Sequence, residues 1–296
     1  KILYFSTYKD FYEAFSLLLY LTRGGKLIFP ISERIGHLVL NTLSFYKNVS
    51  PTEARECKLS IINPIDTSCN RYLSKFWQHH LVSKGYIVFS GKLTCFIAKS
   101  IDRLIRKIRP KDKVCHTLGS TRDYYLTTNL RSSFIQMNQN DVGLIMNSYY
   151  EPFPPLAFQP FCKEVTSLKP LSYVCTYTRD SEYLNNLGLN LDFSYHDYRN
   201  DDYLKLMPIV EALNSDNLPV VRMGNIKRTV NKDCFNSSHI DFSDLSEDGS
   251  DDMILCSNCL FYIGDTSGLA MVPALFGRPV VRYNWISIFN SLPYRT

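Results

Sequence analysis

Short apolar runs alternate with longer segments of mixed apolar and polar residues along the 296-residue chain. The apolar runs predict buried strands, and the mixed segments, in which apolar residues recur every three or four positions, predict helices. The predicted strands lie at residues 26–29, 58–62, 144–146, 173–177, 219–222, 240–242, 260–263 and 279–282. The predicted helices lie at residues 37–46, 69–81, 100–108, 203–213, 252–257 and 267–276. This alternation predicts an α/β protein with parallel sheets.

A proline-rich passage at residues 151–170 interrupts the alternation. It predicts a linker between two domains, residues 1–160 and 161–296, because prolines in close succession disfavour both helix and central strand. Each half repeats the strand–helix pattern, so we expect two α/β units with a cleft between them. Ligands of open parallel sheets bind beyond the carboxyl ends of the strands. The loops that follow the strands are therefore the places to look for a site.

The loop at residues 264–268 is polar although apolar residues flank it on both sides. It consists of Gly264, Asp265, Thr266, Ser267 and Gly268. The glycines allow a sharp turn and a close approach of the backbone to a ligand. The hydroxyl residues would open the next helix, where N–H groups attract anions. Asp265 or Thr266 is expected to cap that helix, and a ligand role, with Asp265 accepting bonds from a sugar or ribose hydroxyl, stays open.

Two arginines also follow predicted strands, Arg179 with Asp180 and Arg222 with Gly224 close behind. A guanidinium group is planar, permanently charged and suited to a diphosphate. The alternative for either arginine alone is a salt bridge to a neighbouring aspartate. Together with the 264–268 loop, the two arginines favour a nucleotide diphosphate.

A polar cluster at residues 196–202 lies between these arginines in the sequence. Tyr198 and Arg199 would face the cleft. Asp201 and Asp202 are expected to cap the helix that follows, because neighbouring carboxylates seldom share one metal ion.

In the first half, the candidate catalytic residue is His37, expected to begin a helix after a tight turn at Gly36. An imidazole titrates near neutral pH and can act as a general base. Binding a phosphate or hydroxyl is the other role, and a surface or capping position is the structural alternative. Asn63 and Cys69, which follow the next strand, would shape an acceptor pocket.

Composition limits the partners. The net charge of +5 is smaller than a nucleic-acid binder would carry. The basic residues of 100–113 also lack the interleaved aromatic residues that stack on bases. Nine cysteines without framework spacing indicate reduced thiols in the cytoplasm, and Cys256 and Cys259 are expected in the core.

No apolar run reaches the length of a membrane span. Ile101, Leu104, Ile105 and Ile108 are expected to pack in the core, while the basic residues beside them would attract lipid at the inner face of the membrane.

Five short motifs, taken in order, carry a resemblance to a known family. They read RIGHL at 34–38, RD at 179–180, HDYRN at 196–200, VVRMG at 220–224 and GDTSG at 264–268, with Pro279 following. The set resembles a bacterial family of glycosyltransferases associated with cell-surface polysaccharide gene clusters, over about residues 26–290. Each motif alone is weak, and their order and spacing are the specific part.

This resemblance implies a GT-B architecture, two Rossmann-like domains facing a cleft. Residues 1–160 would form the acceptor domain and residues 161–296 the nucleotide-sugar donor domain. The donor would be a substrate, with no cofactor and no obligatory metal. A GT-B chain normally ends in a helix that crosses back to the first domain. This chain begins without Met and stops soon after Arg295, so we expect a fragment.

The sequence thus predicts transfer of a sugar from a nucleotide-sugar donor to a hydroxyl of a surface polysaccharide or lipid-linked glycan. Arg179 and Arg222 would neutralise the leaving diphosphate, and His37 would deprotonate or orient the acceptor. Two alternatives stay open: a nucleotide-sugar epimerase or hydrolase of the same fold, and a non-catalytic nucleotide- or glycan-binding protein.

Overall fold

The computed structural model describes residues 2–108, 115–118, 151–159, 165–179, 200–224, 238–242, 249–265 and 267–284. The chain divides into two compact units, residues 1–148 and 149–296. Each unit contains its own sheet, and every strand pair in both sheets is parallel. The prediction of an α/β protein with parallel sheets is confirmed.

The first unit has five α-helices and four strands, with a 3-10 turn at Ile65–Thr67, within the described residues. In chain order they are α1 (Ile2–Thr22), β1 (Lys26–Pro30), α2 (Ile35–Asn48), α3 (Pro51–Glu56), β2 (Leu59–Ile62), α4 (Arg71–Lys84), β3 (Val88–Phe89), α5 (Lys92–Ile108) and β4 (Cys115–Leu118). The strands lie in the order β3-β2-β1-β4.

Apolar side chains from α1, the sheet and α5 form one core of this unit. Leu17 of α1, Phe29 of β1 and Ala98 of α5 are buried in it together. Trp77 of α4 is fully buried elsewhere in the unit. Helices α1 and α5 and the sheet therefore share one apolar core.

The second unit has three α-helices and five strands within the described residues. They are β5 (Val174–Tyr177), α6 (Met207–Ser215), β6 (Val220–Arg222), β7 (His239–Asp241), α7 (Ser250–Asn258), β8 (Phe261–Gly264), α8 (Met271–Leu275) and β9 (Val280–Arg282). A 3-10 turn at Tyr203–Leu206 leads into α6. The strand order β7-β6-β5-β8-β9 is that of a doubly wound sheet. Successive strands are added on one side from β5 to β7 and on the other side from β8 to β9, so the topological switch point lies between β5 and β8.

The described part of the proline-rich passage is bound to the second unit. The N–H of Phe153 donates to the carbonyl of Leu275 at 3.1 Å. The side-chain amide of Asn258 donates to the carbonyl of Leu156 at 2.9 Å. Residues 151–159 therefore belong with α7 and α8 rather than to a free connection.

The predicted strands at 26–29, 58–62, 173–177, 219–222, 240–242, 260–263 and 279–282 are confirmed within one or two residues. The sequence interpretation missed α1, α3, β3 and β4. The start predicted for α2 was wrong: the helix begins at Ile35, so Gly36 lies inside its first turn. The strand predicted at 144–146 lies outside the described residues.

Candidate functional site

The second sheet places two of the predicted site residues at its topological switch point. The final pair between β5 and β8 joins Tyr177 to Gly264. Arg179 lies two residues beyond this pair on one strand, and Asp265 lies one residue beyond it on the other. Ligands of doubly wound sheets bind outside the strand ends at this point. The fold therefore brings Arg179 and Asp265 to the position where a ligand is expected.

Asp265 ties the two loops together. Its side chain is fully buried, and its Oδ2 atom accepts a hydrogen bond from the backbone N–H of Arg179. The carbonyl of Arg179 accepts from the N–H of Asp201 at 3.1 Å. The Nη1 atom of Arg179 donates to Oδ1 of Asn200 at 2.7 Å. Arg179, in the loop after β5, is thus held by two other segments, the loop after β8 and residues 200–201.

The 264–268 loop does not open a helix directly, which corrects the predicted helix at 267–276. Helix α8 begins at Met271, and Ala270 precedes it without a side-chain capping bond. The N–H of Ser267 donates to the carbonyl of Asp265 at 2.8 Å, closing a tight turn. Asp265 therefore links loops instead of capping a helix.

The side chain of Ser267 is buried next to the hydroxyl of Tyr262. Burial raises the pKa of Tyr262 well above its ordinary value, and the contact with Ser267 opposes that shift. Gly268 lies in the same turn and accepts from the N–H of Met271 at 3.2 Å. The loop is therefore held by the protein's own hydrogen bonds.

Gly264 and Gly224 make room for neighbouring protein atoms. A Cβ atom on Gly264 would lie 2.6 Å from the ring of Tyr262 and 2.9 Å from the carbonyl oxygen of Tyr177. Gly224 has φ +123°, and a Cβ there would lie 2.8 Å from the ring of Tyr177. Any larger residue at either position would displace Tyr177 at the switch point.

Arg222 is engaged in an ion pair, the structural alternative considered for it. Its Nη1 atom lies 2.9 Å from Oδ2 of Asp241, the residue directly opposite it in the β6–β7 register. The guanidinium carbon lies 4.7 Å above the ring of Tyr203. Its side chain is 7% exposed and that of Asp241 is 26% exposed. Asp241, which lies inside the strand predicted at 240–242, is the last residue of β7.

Tyr203, whose ring contacts Arg222, belongs to a buried chain of polar groups. The hydroxyl of Tyr203 lies 2.8 Å from Oγ1 of Thr176 and 2.9 Å from Nε2 of His239. Burial, helped by the charge of Arg222 and opposed by that of Asp241, lowers the pKa of His239 to about 4. The imidazole is therefore neutral at pH 7.

Sequence reasoning missed four residues of this arrangement, Asn200, Tyr203, His239 and Asp241, as partners of the predicted arginines. Tyr203 resembled an ordinary helix-start residue. One signal was available: Arg222 ends one predicted strand, and Asp241, of opposite charge, lies in the next one. Using it required knowing that those two strands are neighbours.

Four predicted site residues, Asp180, Tyr198, Arg199 and Thr266, lie outside the described residues. The capping role predicted for Asp202 is confirmed, since its Oδ1 atom accepts from the N–H of Leu204 at 3.1 Å. The Asp201 carboxylate instead pairs with Lys205 at 2.6 Å.

In the first unit, His37 is the third residue of α2 and is partly exposed. Arg34 precedes the helix and makes no side-chain capping bond. The N–H of Cys69 donates to the carbonyl of Ser32 at 2.8 Å, which joins the loop after β1 to the segment before α4. Burial, helped by the charge of Glu33, raises the pKa of Cys69 to about 12. That thiol stays protonated at neutral pH.

Asn63, at the end of β2, is turned into the protein, where its side-chain amide donates to the carbonyl of Ser74 at 2.8 Å. This bond fixes Asn63 against α4. Its predicted part in an acceptor pocket stays a prediction.

Cys256 and Cys259 are fully buried free thiols, which confirms their predicted place in the core. Leu104 is 56% exposed, so the expectation that it packs in the core is wrong. Among the described residues, no helix is both long and apolar enough to cross a membrane. In the same part of the chain, no three His, Cys, Asp or Glu side chains are grouped to hold a metal ion.

No family model matches the chain, and no curated protein matches it at a significant level. Among solved structures, the chain is similar to the crystal structure of the glycosyl transferase family 9 from Veillonella parvula DSM 2008. The TM-score is 0.43 and the identity 10%, with 87% of this chain and 80% of that chain covered. At this score and identity, the similarity by itself assigns neither fold nor function to the chain.

Proposed function

We propose that the protein is a glycosyltransferase that moves a sugar from a nucleotide-sugar donor to a hydroxyl of a surface polysaccharide or lipid-linked glycan. The observation that carries the proposal is the junction of Arg179 and Asp265 at the switch point of the second sheet. Nucleotides bind doubly wound sheets at such points. The motif resemblance supports the same reaction class.

In this proposal the second unit binds the donor diphosphate. Arg179 is the leading candidate to contact it, because its backbone is anchored at the switch point and its guanidinium group is permanently charged. Arg222 is already paired with Asp241, which offsets its charge, so its contribution to holding the diphosphate is the smaller one. The arginines would stabilise the leaving diphosphate without a metal ion.

The first unit supplies the acceptor side and His37 in this proposal. His37 would accept the proton of the attacking hydroxyl as the sugar is transferred. The donor is a substrate, and the protein would act at the cytoplasmic face of the membrane when its acceptor is lipid-linked.

A screen of the purified chain against nucleotide sugars and free nucleoside diphosphates tests the proposal. We expect the melting temperature to rise with nucleotides of one base, both as the nucleotide sugar and as the free nucleoside diphosphate. Product analysis of the stabilising donor, with and without glycan acceptors, then separates transfer from hydrolysis or epimerisation. Stabilisation with no turnover under any acceptor would favour a binding protein, and no stabilisation by any nucleotide would contradict the donor site.

A further inference from the structure

The outward side of α1 carries a continuous apolar surface. Six side chains on it are between 41% and 75% exposed, and none is charged. They are Tyr8, Phe11, Tyr12, Phe15, Leu18 and Leu19. Their spacing of three and four residues places them on one side of the helix, over about 17 Å of its length. We call this surface the α1 aromatic face.

Within the described residues, the core does not use this face. Helix α1 packs through its other side, where Ala14 and Leu17 are buried and Leu17 joins the core with β1 and α5. A helix that is apolar on both sides is ordinarily covered on both. Contiguous exposed apolar surface of this kind indicates a contact with a partner or a membrane.

The charged residues of α1 are distributed unevenly around this face. The Glu13 carboxylate is turned towards the β3–α5 connection, where it accepts from the N–H of Gly91 at 2.9 Å. Asp10 lies on the same side, close to Gly91. The anionic groups are therefore directed away from the aromatic face.

Exposed cations lie along one edge of the face. Lys9 comes three residues before Tyr12, and Arg23 comes four residues after Leu19. Lys58 reaches the same end of the helix, with its ammonium group donating to the carbonyl of Arg23 at 2.7 Å. This edge complements an anionic surface.

We propose that the α1 aromatic face binds the surface of a lipid bilayer that contains anionic lipid. Aromatic and leucine side chains enter the interfacial region, tyrosine hydroxyls remain at its wet side, and lysine and arginine reach the headgroups. Because its other side is buried in the core, α1 lies on the bilayer surface.

A second copy of the chain fits the face less well. The exposed part of the six side chains amounts to about 650 Å² on one protomer, using about 200 Å² for a fully exposed aromatic side chain. This area is at the low end of the range of about 600–1,000 Å² per partner that stable complexes bury. Pairing two such faces would also leave the edge formed by Lys9, Arg23 and Lys58 without a role.

Vesicle flotation of the full chain tests this inference without any donor or acceptor, so its result is independent of the proposed reaction. Vesicles of phosphatidylcholine alone are compared with vesicles of equal parts phosphatidylcholine and phosphatidylglycerol. We expect the chain to float with the anionic vesicles and much less with the neutral ones. Equal flotation with both, or none with either, would overturn the proposal.

Two variants locate the contact. Phe11→Gln with Phe15→Gln should lower the bound fraction by about tenfold or more, because both side chains lose their burial in lipid. Lys9→Gln and Arg23→Gln should each weaken binding by about fivefold, the effect of one cation near an anionic surface. The matched control is Phe96→Gln on α5, an equally exposed phenylalanine outside the face, which should float as the wild type does.

Circular dichroism establishes that each variant retains its helix content and melting temperature, as expected for exposed positions. Wild-type flotation of the Phe11/Phe15 variant would show that lipid does not contact this face. An equal loss in Phe96→Gln would show that the effect is not specific to this face and would overturn its assignment. Sedimentation velocity without lipid provides the second measurement. A dimer that disappears in the Phe11/Phe15 variant would assign the face to a second copy and overturn the proposal.

Discussion

The carboxylate of Asp265 accepts the backbone N–H of Arg179, and this bond joins the loops that follow β5 and β8. The two strands are neighbours at the switch point of the second sheet. Asp265 is fully buried, so its carboxylate positions Arg179 from within the protein. This assigns the two residues different tasks, which substitution can separate.

Asp265→Ala should destabilise the protein by about 1 to 3 kcal/mol, because it leaves the buried N–H of Arg179 without its acceptor. Urea unfolding measures the effect. Asp265→Asn keeps one acceptor oxygen and should lose less. The control is Glu211→Ala on the exposed side of α6, expected within about 0.5 kcal/mol of the wild type. A wild-type unfolding curve for Asp265→Ala would show that the loops hold without this bond.

Arg179→Ala should weaken ligand binding more than it lowers the stability of the protein. The backbone N–H of residue 179 still reaches Asp265, so most of the stability should remain. Loss of a charged hydrogen-bond donor should weaken nucleoside diphosphate binding by about 1.5 to 3 kcal/mol, measured by calorimetry. Asn200→Ala is the matched variant, since it removes the partner of Nη1 and leaves the charge. Unchanged affinity in Arg179→Ala, with Asp265→Ala binding normally, would remove the proposed donor contact.

The Arg222–Asp241 pair should contribute to folding. Arg222→Ala removes both the ion pair and the contact with the Tyr203 ring. We expect a loss of about 1 to 2 kcal/mol of unfolding free energy, discounted because Asp241 is partly exposed. A double-mutant cycle with Asp241→Ala should give a coupling energy of at least about 0.5 kcal/mol. Additive losses would mean that the two side chains do not interact in solution.

The sequence predicted the strands of the second sheet because β5, β6, β8 and β9 are short apolar runs with polar residues after them. It also placed Arg179 and Asp265 at strand ends. Their bond depends on β5 and β8 being adjacent, and sequence order does not specify that. The Arg222–Asp241 pair was missed for the same reason, since it follows from the β6–β7 register.

Two local errors have different causes. Helix α1 was missed because its buried and exposed sides are both apolar, which removes the 3.6-residue alternation. The start of α8 was placed four residues early because Asp265 and Ser267 are typical helix-capping residues. In the structure the Asp265 carboxylate accepts the N–H of Arg179 in the loop after β5, and the backbone N–H of Ser267 closes a turn on the carbonyl of Asp265.

Acid should destabilise the second unit through His239. Its pKa is about 4 in the folded protein, against an ordinary value of 6.5, so the unfolded chain takes up a proton first as pH falls. The stability it contributes is complete above pH 6.5 and is lost progressively towards pH 4. Between pH 7.5 and 5, the unfolding free energy of the wild type should fall by about 2 kcal/mol more than that of His239→Gln.

Urea unfolding at both pH values measures this difference, and His79→Gln is the control. His79 is exposed on α4 and should leave the wild-type difference unchanged. Equal losses in the wild type and in His239→Gln would mean that the buried imidazole does not resist protonation.

The last prediction concerns His37, in the first turn of α2. If it removes the proton from the acceptor hydroxyl, His37→Asn should lower turnover by roughly 10²- to 10⁴-fold, the usual contribution of a positioned base. Donor affinity should not change, because Arg179 and Asp265 belong to the other unit. A role in binding the acceptor would instead raise the Michaelis constant more than it lowers turnover. The side chain is partly exposed, so the variant should fold normally, and His79→Asn provides an exposed histidine for comparison. Wild-type turnover of His37→Asn at saturating donor and acceptor would show that another group takes the proton.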